Sequence, residues 1–279
     1  MITWSVGLWW GTAEGLGLPE LIEVAAATGY DTISVTPSMY FEAHDNGHTD
    51  AELRARLDGC GVTVGVVDPL IRGLPGAPAT TDVGPRFRAT FEHDEDDCYR
   101  VAEALSVPAL NLAHYLCAPT PIQQLVDAVG NICERAGRRH LDILVEFMPE
   151  GSIPDLAAAA AIVGQVAAPN CAVMLDTWHF FRTSGAPAEL ETLAPGTIGG
   201  VQVSDGGADL WGSGVKPPTR DRLVPGDGVI PLRRILTLAR ANRPGVVIGA
   251  EVFSRELAAE APTDRARRVR SGLDAVWPF

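Results

Sequence analysis

Lysine is almost missing from this chain: Lys216 is the only one, and arginine supplies the other basic side chains. Acidic groups outnumber basic ones 35 to 22, a formal net charge of −13. No basic groove interrupts that balance, so a polyanion such as nucleic acid would be repelled. Cysteine is scarce too. The five residues at 60, 98, 117, 133 and 171 form no CxxC and no close pair. An odd number scattered through apolar segments reads as free, mostly buried thiols in a reducing compartment. No apolar run has the length of a membrane span; the alanine-rich stretch 156–168 stops short and contains Gln165. The opening MITWSVGLWWG lacks the basic region and cleavage motif of a signal peptide. A phosphate-binding P-loop is absent as well. These absences point to a cytoplasmic protein with neither a membrane nor a nucleic acid as partner, acting on a small, unphosphorylated molecule.

What is present is a strong apolar component. Hydrophobic residues make up 46% of the chain and charged ones 20%, which excludes wholesale disorder. At 279 residues the chain suffices for one α/β barrel of about 250 residues, so a single domain over 1–279 is expected. Strand-type runs occur at 2–10, 31–37, 62–70, 109–115, 142–147, 171–177, 199–205 and 246–253. Most are continuously apolar, as parallel strands covered on both faces should be. Helical patterns fill the intervals, several starting after Asp, Thr or Pro and several ending at Gly. Eight strands alternating with eight helices predict a (β/α)8 TIM barrel, with a doubly wound open sheet as the other α/β solution. One long irregular stretch, 206–229, is rich in Gly, Pro and Asp. Its length suggests a lid, with Trp211, Lys216 and Arg222 available to close over a ligand.

A barrel places its active site at the carboxyl ends of its strands. Polar residues ending strands are His114 on the fourth, Glu146 on the fifth, Asp176 followed by His179 on the sixth, Gln202 and Asp205 on the seventh, and Glu251 on the eighth. Glu146, Asp176, Gln202 and Glu251 are spaced by about one βα unit each, the last interval lengthened by the loop. They therefore fall at one level. An acid in such a position can instead cap the next helix, and Asp205 could cap the turn at Gly206–Gly207. His114 reads as structural or pocket-lining. Taken together, however, three carboxylates and an amide oxygen converging on one rim would repel each other without a cation. Oxygen-rich ligands favour Mn²⁺ or Mg²⁺, with Zn²⁺, Co²⁺ or Fe²⁺ also possible. Asp176 would then bind metal while His179, just beyond it, faces the substrate.

The ordered segments LVEF, MLDTWH, VQVSD, RDRLVPGDG and GAEVF resemble the xylose isomerase-like TIM barrels. Within these they are similar to the sugar phosphate isomerase/epimerase group (AP endonuclease family 2), which includes ketose 3-epimerases, inosose dehydratase-type enzymes and endonuclease IV. The resemblance implies metal ligands at Glu146, Asp176, Gln202 and Glu251, although Gln202 stands where the family usually has His. It further implies substrate contacts from His179 and from Arg222, the arginine before the PGDG turn. His114 and Trp178 are added as candidate substrate-binding residues.

Two glutamates flanking a bound α-hydroxy ketone could exchange the proton beside the carbonyl. Glu146 and Glu251 are therefore the candidate catalytic pair for an isomerase or epimerase of a sugar or sugar-like substrate. The same intermediate also permits a lyase reaction, by loss of a β-hydroxyl or β-alkoxyl group. Aromatic residues near the rim, Trp9, Trp10, Phe147, Trp178, Phe180, Phe181 and Trp211, would suit a substrate with an apolar portion if several of them line the pocket. An endonuclease IV-like hydrolase would need more His and carboxylate ligands. His44 and His48 have helical spacing but read as a solvated loop. A non-catalytic barrel is the remaining alternative. Pairing into a homo-oligomer through barrel helices is possible.

Overall fold

The apolar runs become eight short parallel strands: β1 Val6–Leu8, β2 Thr32–Val35, β3 Thr63–Leu70, β4 Ala109–Ala113, β5 Asp142–Glu146, β6 Cys171–Asp176, β7 Ile198–Val203 and β8 Val247–Ala250. The computed structural model describes residues 5–213 and 220–277. Residues 2–4 of the expected first strand and Lys216 of the expected lid lie outside them. Each strand pairs with the next, and β8 closes on β1, giving the eight-stranded parallel barrel expected of the alternating pattern. Strands β2, β4, β6 and β7 are buried at every residue, which explains why they read as unbroken apolar runs.

Helices cover the outside: α1 Leu18–Ala27, α2 Pro37–Asp45, α3 Asp50–Cys60, α4 Arg88–Glu92, α5 Glu95–Leu105, α6 Ile122–Gly137, α7 Leu156–Val166, α8 Thr177–Arg182, α9 Pro187–Glu191, α10 Leu232–Asn242 and α11 Pro262–Val276. Local chemistry sets their starts. Thr49 and Glu52 form a capping box on α3, and Asp94 and Asp97 form another on α5. Three helices, α2, α4 and α8, are additional to the eight read from periodicity. Helix α2 follows a Thr36 cap and Pro37, so His44 sits on a helix and not in a solvated loop; its Nε2 is 2.8 Å from Asp50 Oδ1. Among the described residues no helix is long and apolar enough to cross a membrane. All five cysteines are free, with Cys98, Cys133 and Cys171 buried.

Below the strand ends the barrel is filled by Trp9, packed with Val66, Leu144, Ala172 and Met174. The indole needs space that only glycine leaves. A Cβ at Gly249 would fall 1.3 Å from Trp9 Cε3 and Cζ3, and one at Gly7 would fall 2.3 Å from Cζ3. Gly249→Ala should therefore destabilise the protein by about 3 kcal/mol, the upper end of overpacking costs. Chemical denaturation measures this. A loss below about 1 kcal/mol would mean that Trp9 has room to move aside.

Candidate active site

Strand register carries the acids to one place. Glu146 lies opposite Met174, two residues before Asp176; Asp176 lies opposite Gln202; and Gln202 lies opposite Gly249, two residues before Glu251. Even steps keep all four side chains on the same face of the sheet, and the alternation of two, none and two follows the stagger of a closed barrel. All four are buried. Glu146, Gln202 and Glu251 line one cavity of about 660 Å³, together with His179 and Arg222.

Asp176 divides its two oxygens between two tasks. Its Oδ1 caps α8, accepting from Trp178 N at 2.7 Å and His179 N at 3.1 Å. Its Oδ2 has no well-directed hydrogen bond. Arg222 Nη1 lies 2.9 Å from that oxygen and His179 Nε2 lies 3.6 Å away. The same His179 nitrogen is 3.8 Å from Glu146 Oε1. Capping and a place in the site were alternatives in the sequence; one oxygen of the carboxylate caps α8 and the other faces Arg222 and His179.

Two further buried polar residues, Asp68 and Asn111, belong to the constellation and were missed in the sequence. Asn111 Nδ2 donates to Asp68 Oδ1 at 2.7 Å and to Glu146 Oε2 at 2.6 Å. Asp68 Oδ2 also accepts from Trp10 Nε1 at 3.1 Å and from Gln202 Nε2 at 3.4 Å. The last contact orients the Gln202 amide, leaving its buried Oε1 without a partner. Asp68 is an acid inside an apolar strand, two residues before the end of β3, and that was the available signal.

Four buried carboxylates now face one fully buried guanidinium. Burial, reinforced by Asp68, Glu251 and Asp176, drives the Glu146 pKa well above the carboxylate range. Burial likewise drives Glu251 well up, although Arg222 opposes it. Asp68 is pushed up to about 6 by burial, against its hydrogen bonds from Asn111 and Trp10. Asp176 goes the other way: burial disfavours its charge, but Arg222, His179 and the α8 amides outweigh it. His179 is pushed down to about 4, chiefly by burial, which leaves a neutral imidazole able to accept a proton or ligate.

This donor set fits a divalent cation. Glu146, Asp176 and His179 can each offer a ligand atom within 4.8 Å of the others. Gln202 Oε1 is a buried acceptor without a donor, and Arg222, paired with Asp176 Oδ2 and Glu251, is a single cation among four buried carboxyl groups. Glu251, expected among the ligands, is outside that group of three and is linked to Asp176 through Arg222, whose Nη1 is 3.2 Å from Glu251 Oε2. His179, expected against the substrate, lines the cavity and also stands within reach of Glu146 and Asp176, because the capped turn of α8 places it over Asp176.

Other expected residues are placed differently. His114 does not line the cavity: Nε2 pairs with Pro75 O at 2.9 Å, and Nδ1 accepts from Ser152 N at 3.3 Å. Both ring nitrogens thus serve the main chain. Trp178 is 1% exposed and stacks beneath Arg182 and Arg222, so it supports an arginine and does not face the cavity. Trp211 packs edge-on against Phe181. Asp205 ties down the segment that carries Arg222. Its Oδ1 accepts from Gly206 N at 2.9 Å and Ile230 N at 3.0 Å, and its Oδ2 accepts from Gly226 N at 2.9 Å. Asp205→Ala should cost about 3 kcal/mol by stranding buried amides, read by denaturation; a cost below about 1 kcal/mol would show the segment to be held elsewhere.

The chain belongs to the xylose isomerase-like TIM barrel family, whose model matches residues 22–275. Similar solved structures include the IOLI protein with a bound zinc atom, at 17% identity and a TM-score of 0.82, covering 98% of this chain and 97% of that one. D-psicose 3-epimerase from Clostridium cellulolyticum H10, solved with D-tagatose, is 18% identical with a TM-score of 0.72, covering 98% of each chain. A xylose isomerase-like TIM barrel/4-hydroxyphenylpyruvate dioxygenase fusion protein is 19% identical with a TM-score of 0.75, covering 97% of this chain and 42% of that one. At these identities the likeness is one of fold. No curated protein matches the chain in sequence.

Proposed function

We propose that the chain is a divalent-metal-dependent isomerase or epimerase of a sugar or sugar-like α-hydroxy ketone. The observation that carries this is the burial of Glu146 and Glu251 in the wall of one cavity, both with raised pKa values, beside the donor set of Asp176, His179 and Gln202. A divalent ion, when bound, supplies Lewis acidity that polarises a carbonyl and makes the adjacent C–H more acidic. Glu146 and Glu251 stand on strands three places apart in a ring of eight, so they approach a ligand from different sides. One carboxylate removes the proton beside the carbonyl, and the other, protonated, returns one from its own side. Raised pKa values suit that exchange, because a carboxylate lifted above its ordinary range is the stronger base and, once protonated, the group has a proton to return. Arg222 compensates charge on Glu251 and Asp176, and Asn111 holds Glu146 in place.

Deuterium incorporation beside the carbonyl of a ketohexose in D₂O, with Mn²⁺ present, tests the reading. Stereochemically inverted or positionally shifted product carrying one deuteron is expected. Absence of any exchange, both across ketoses of different chain length and across α-hydroxy ketones that carry an aryl group, would reject it. The apolar residues in the cavity favour lyase chemistry as the second reading; mass-spectrometric loss of water or of an alcohol, in place of exchange alone, would establish that alternative.

A further inference from the structure

The cavity has two unlike halves. Its floor is polar: Asp68, Glu146, Gln202, Glu251 and His179. Its remaining walls are largely apolar and come from several different loops, including Trp10 after β1, Ile71 and Phe87 after β3, Tyr115 after β4, Met148 after β5 and Phe253 after β8. Of the aromatic residues the sequence suggested for the rim, only Trp10 is among them. The others are Phe87, Tyr115 and Phe253, which periodicity did not single out.

The apolar walls are built. Ile71, Val83, Phe91 and Ala113 form a buried cluster of their own, on which Phe87, Tyr115 and Met148 pack. Much of it comes from the long segment 71–94, which folds as short helical turns and α4. Across the cavity, Trp10 is fixed at the junction of the halves. Its main-chain N donates to Ser34 Oγ at 2.9 Å, its indole donates to Asp68, and Phe253 meets its ring edge-on at 5.1 Å. Phe87 and Tyr115 form a second edge-on pair at 6.0 Å.

From this division we infer that the substrate is not a bare sugar but a polyhydroxylated or hydroxy-ketone head bearing an uncharged, ring-sized apolar group. The inference rests on the proposed reading for which end of the ligand meets the acids. A hexose on the floor would leave the apolar walls facing water, and about 660 Å³ is a volume that suits drug-sized ligands. Stacking of a sugar's C–H face would account for one aromatic plane, but not for two separate edge-on pairs with Ile71 and Met148 between loops. The charge of the described lining disfavours an anionic appendage. Among the described residues lining the cavity, Glu14 and Glu150 add to the acids of the floor, while Arg220 is paired with Glu14 and Arg222 with Asp176 and Glu251. No arginine of that lining is left to meet a phosphate or carboxylate.

Equilibrium binding of inert probes tests this without turnover. Calorimetry would compare methyl β-D-glucoside, phenyl β-D-glucoside and para-carboxyphenyl β-D-glucoside on the full chain, with and without Mn²⁺. The phenyl compound should bind about tenfold or more tighter than the methyl one, and the carboxylated compound should lose that gain. Tyr115→Ala should shrink the preference to about threefold or less. Phe253→Leu, a milder change, should also reduce it if the first variant folds poorly. Equal affinity for methyl and phenyl probes, or a preference that survives both variants, overturns the inference. The D₂O exchange experiment separates the two claims: a phenyl preference without exchange keeps the substrate class and removes the chemistry, and exchange without a phenyl preference does the reverse.

Discussion

Glu146→Gln should abolish proton exchange beside the carbonyl, with a fall of about a thousandfold or more, while the protein remains folded. General acid–base groups contribute roughly 10²–10⁴ in rate, and here one is removed from a pair that must act together. Stability should not suffer, because the amide has the shape of the neutral acid that burial already favours at Glu146. Its oxygen can still accept from Asn111 Nδ2, which stands 2.6 Å from Oε2. Where the acid would ionise, the amide also avoids repulsion from Asp68, Asp176 and Glu251. The pairing of lost exchange with an unchanged or raised melting temperature is the signature. Glu251→Gln should lose as much activity, but it takes from Arg222 one of its two anionic partners. Some loss of stability should accompany it. Near-normal exchange in either variant would remove that glutamate from the proton path.

The barrel was legible because parallel strands buried on both faces leave a distinctive trace, and β4, β6 and β7 show it without interruption. Legible too was the convergence of Glu146, Asp176, Gln202 and Glu251 on one face, since spacing by βα units and strand register are tied together in a closed barrel. What lies beyond the strand ends was not. Side-chain direction there depends on turns such as the Asp176 cap, which swings His179 back over the carboxylates and turns Trp178 under the arginines. His114 lies one residue beyond β4, whose Ala113 is level with Glu146, and main-chain groups from two loops claim both its nitrogens. Helix α8 is too short for a periodic pattern, and α4 sits in a Gly- and Pro-rich segment that reads as loop. The walls formed by 71–94 follow from tertiary packing of Ile71, Val83, Phe87 and Phe91, which stand in a segment broken by Gly and Pro where no continuous helical pattern is visible. Asp68 was hidden inside an apolar run, because β3 continues through Pro69 and Leu70 whereas Glu146 and Asp176 are the last residues of their strands.

Titration with Mn²⁺ or Zn²⁺ should raise the melting temperature by about 5–10 °C at a hundredfold excess over Kd, equivalent to about 2.7 kcal/mol in a chain of this size. The size of the effect should depend on pH, for a reason internal to the site. Asp68, Glu146 and Glu251 have folded-state pKa values above their unfolded ones, so the folded metal-free protein holds protons that the unfolded chain has released. Their contribution to stability is complete below the ordinary carboxylate range and is lost as pH rises through the folded values, about 6 for Asp68. Asp176, with a lowered pKa, contributes in the opposite sense and loses its contribution only in acid. Metal-free protein should therefore melt higher at about pH 5 than at about pH 7.5, the Glu146→Gln variant should show a shallower decline, and added cation should restore most at the higher pH, where the carboxylates are bare. Asp176→Ala should erase the metal-dependent shift. Gln202→His should tighten binding by about tenfold, since imidazole is the better donor to Mn²⁺ or Zn²⁺ than an amide oxygen. A melting temperature indifferent to every divalent ion tried, in a folded protein at neutral pH, would leave Arg222 as the only charge compensation for the acids and exclude a cation from the site.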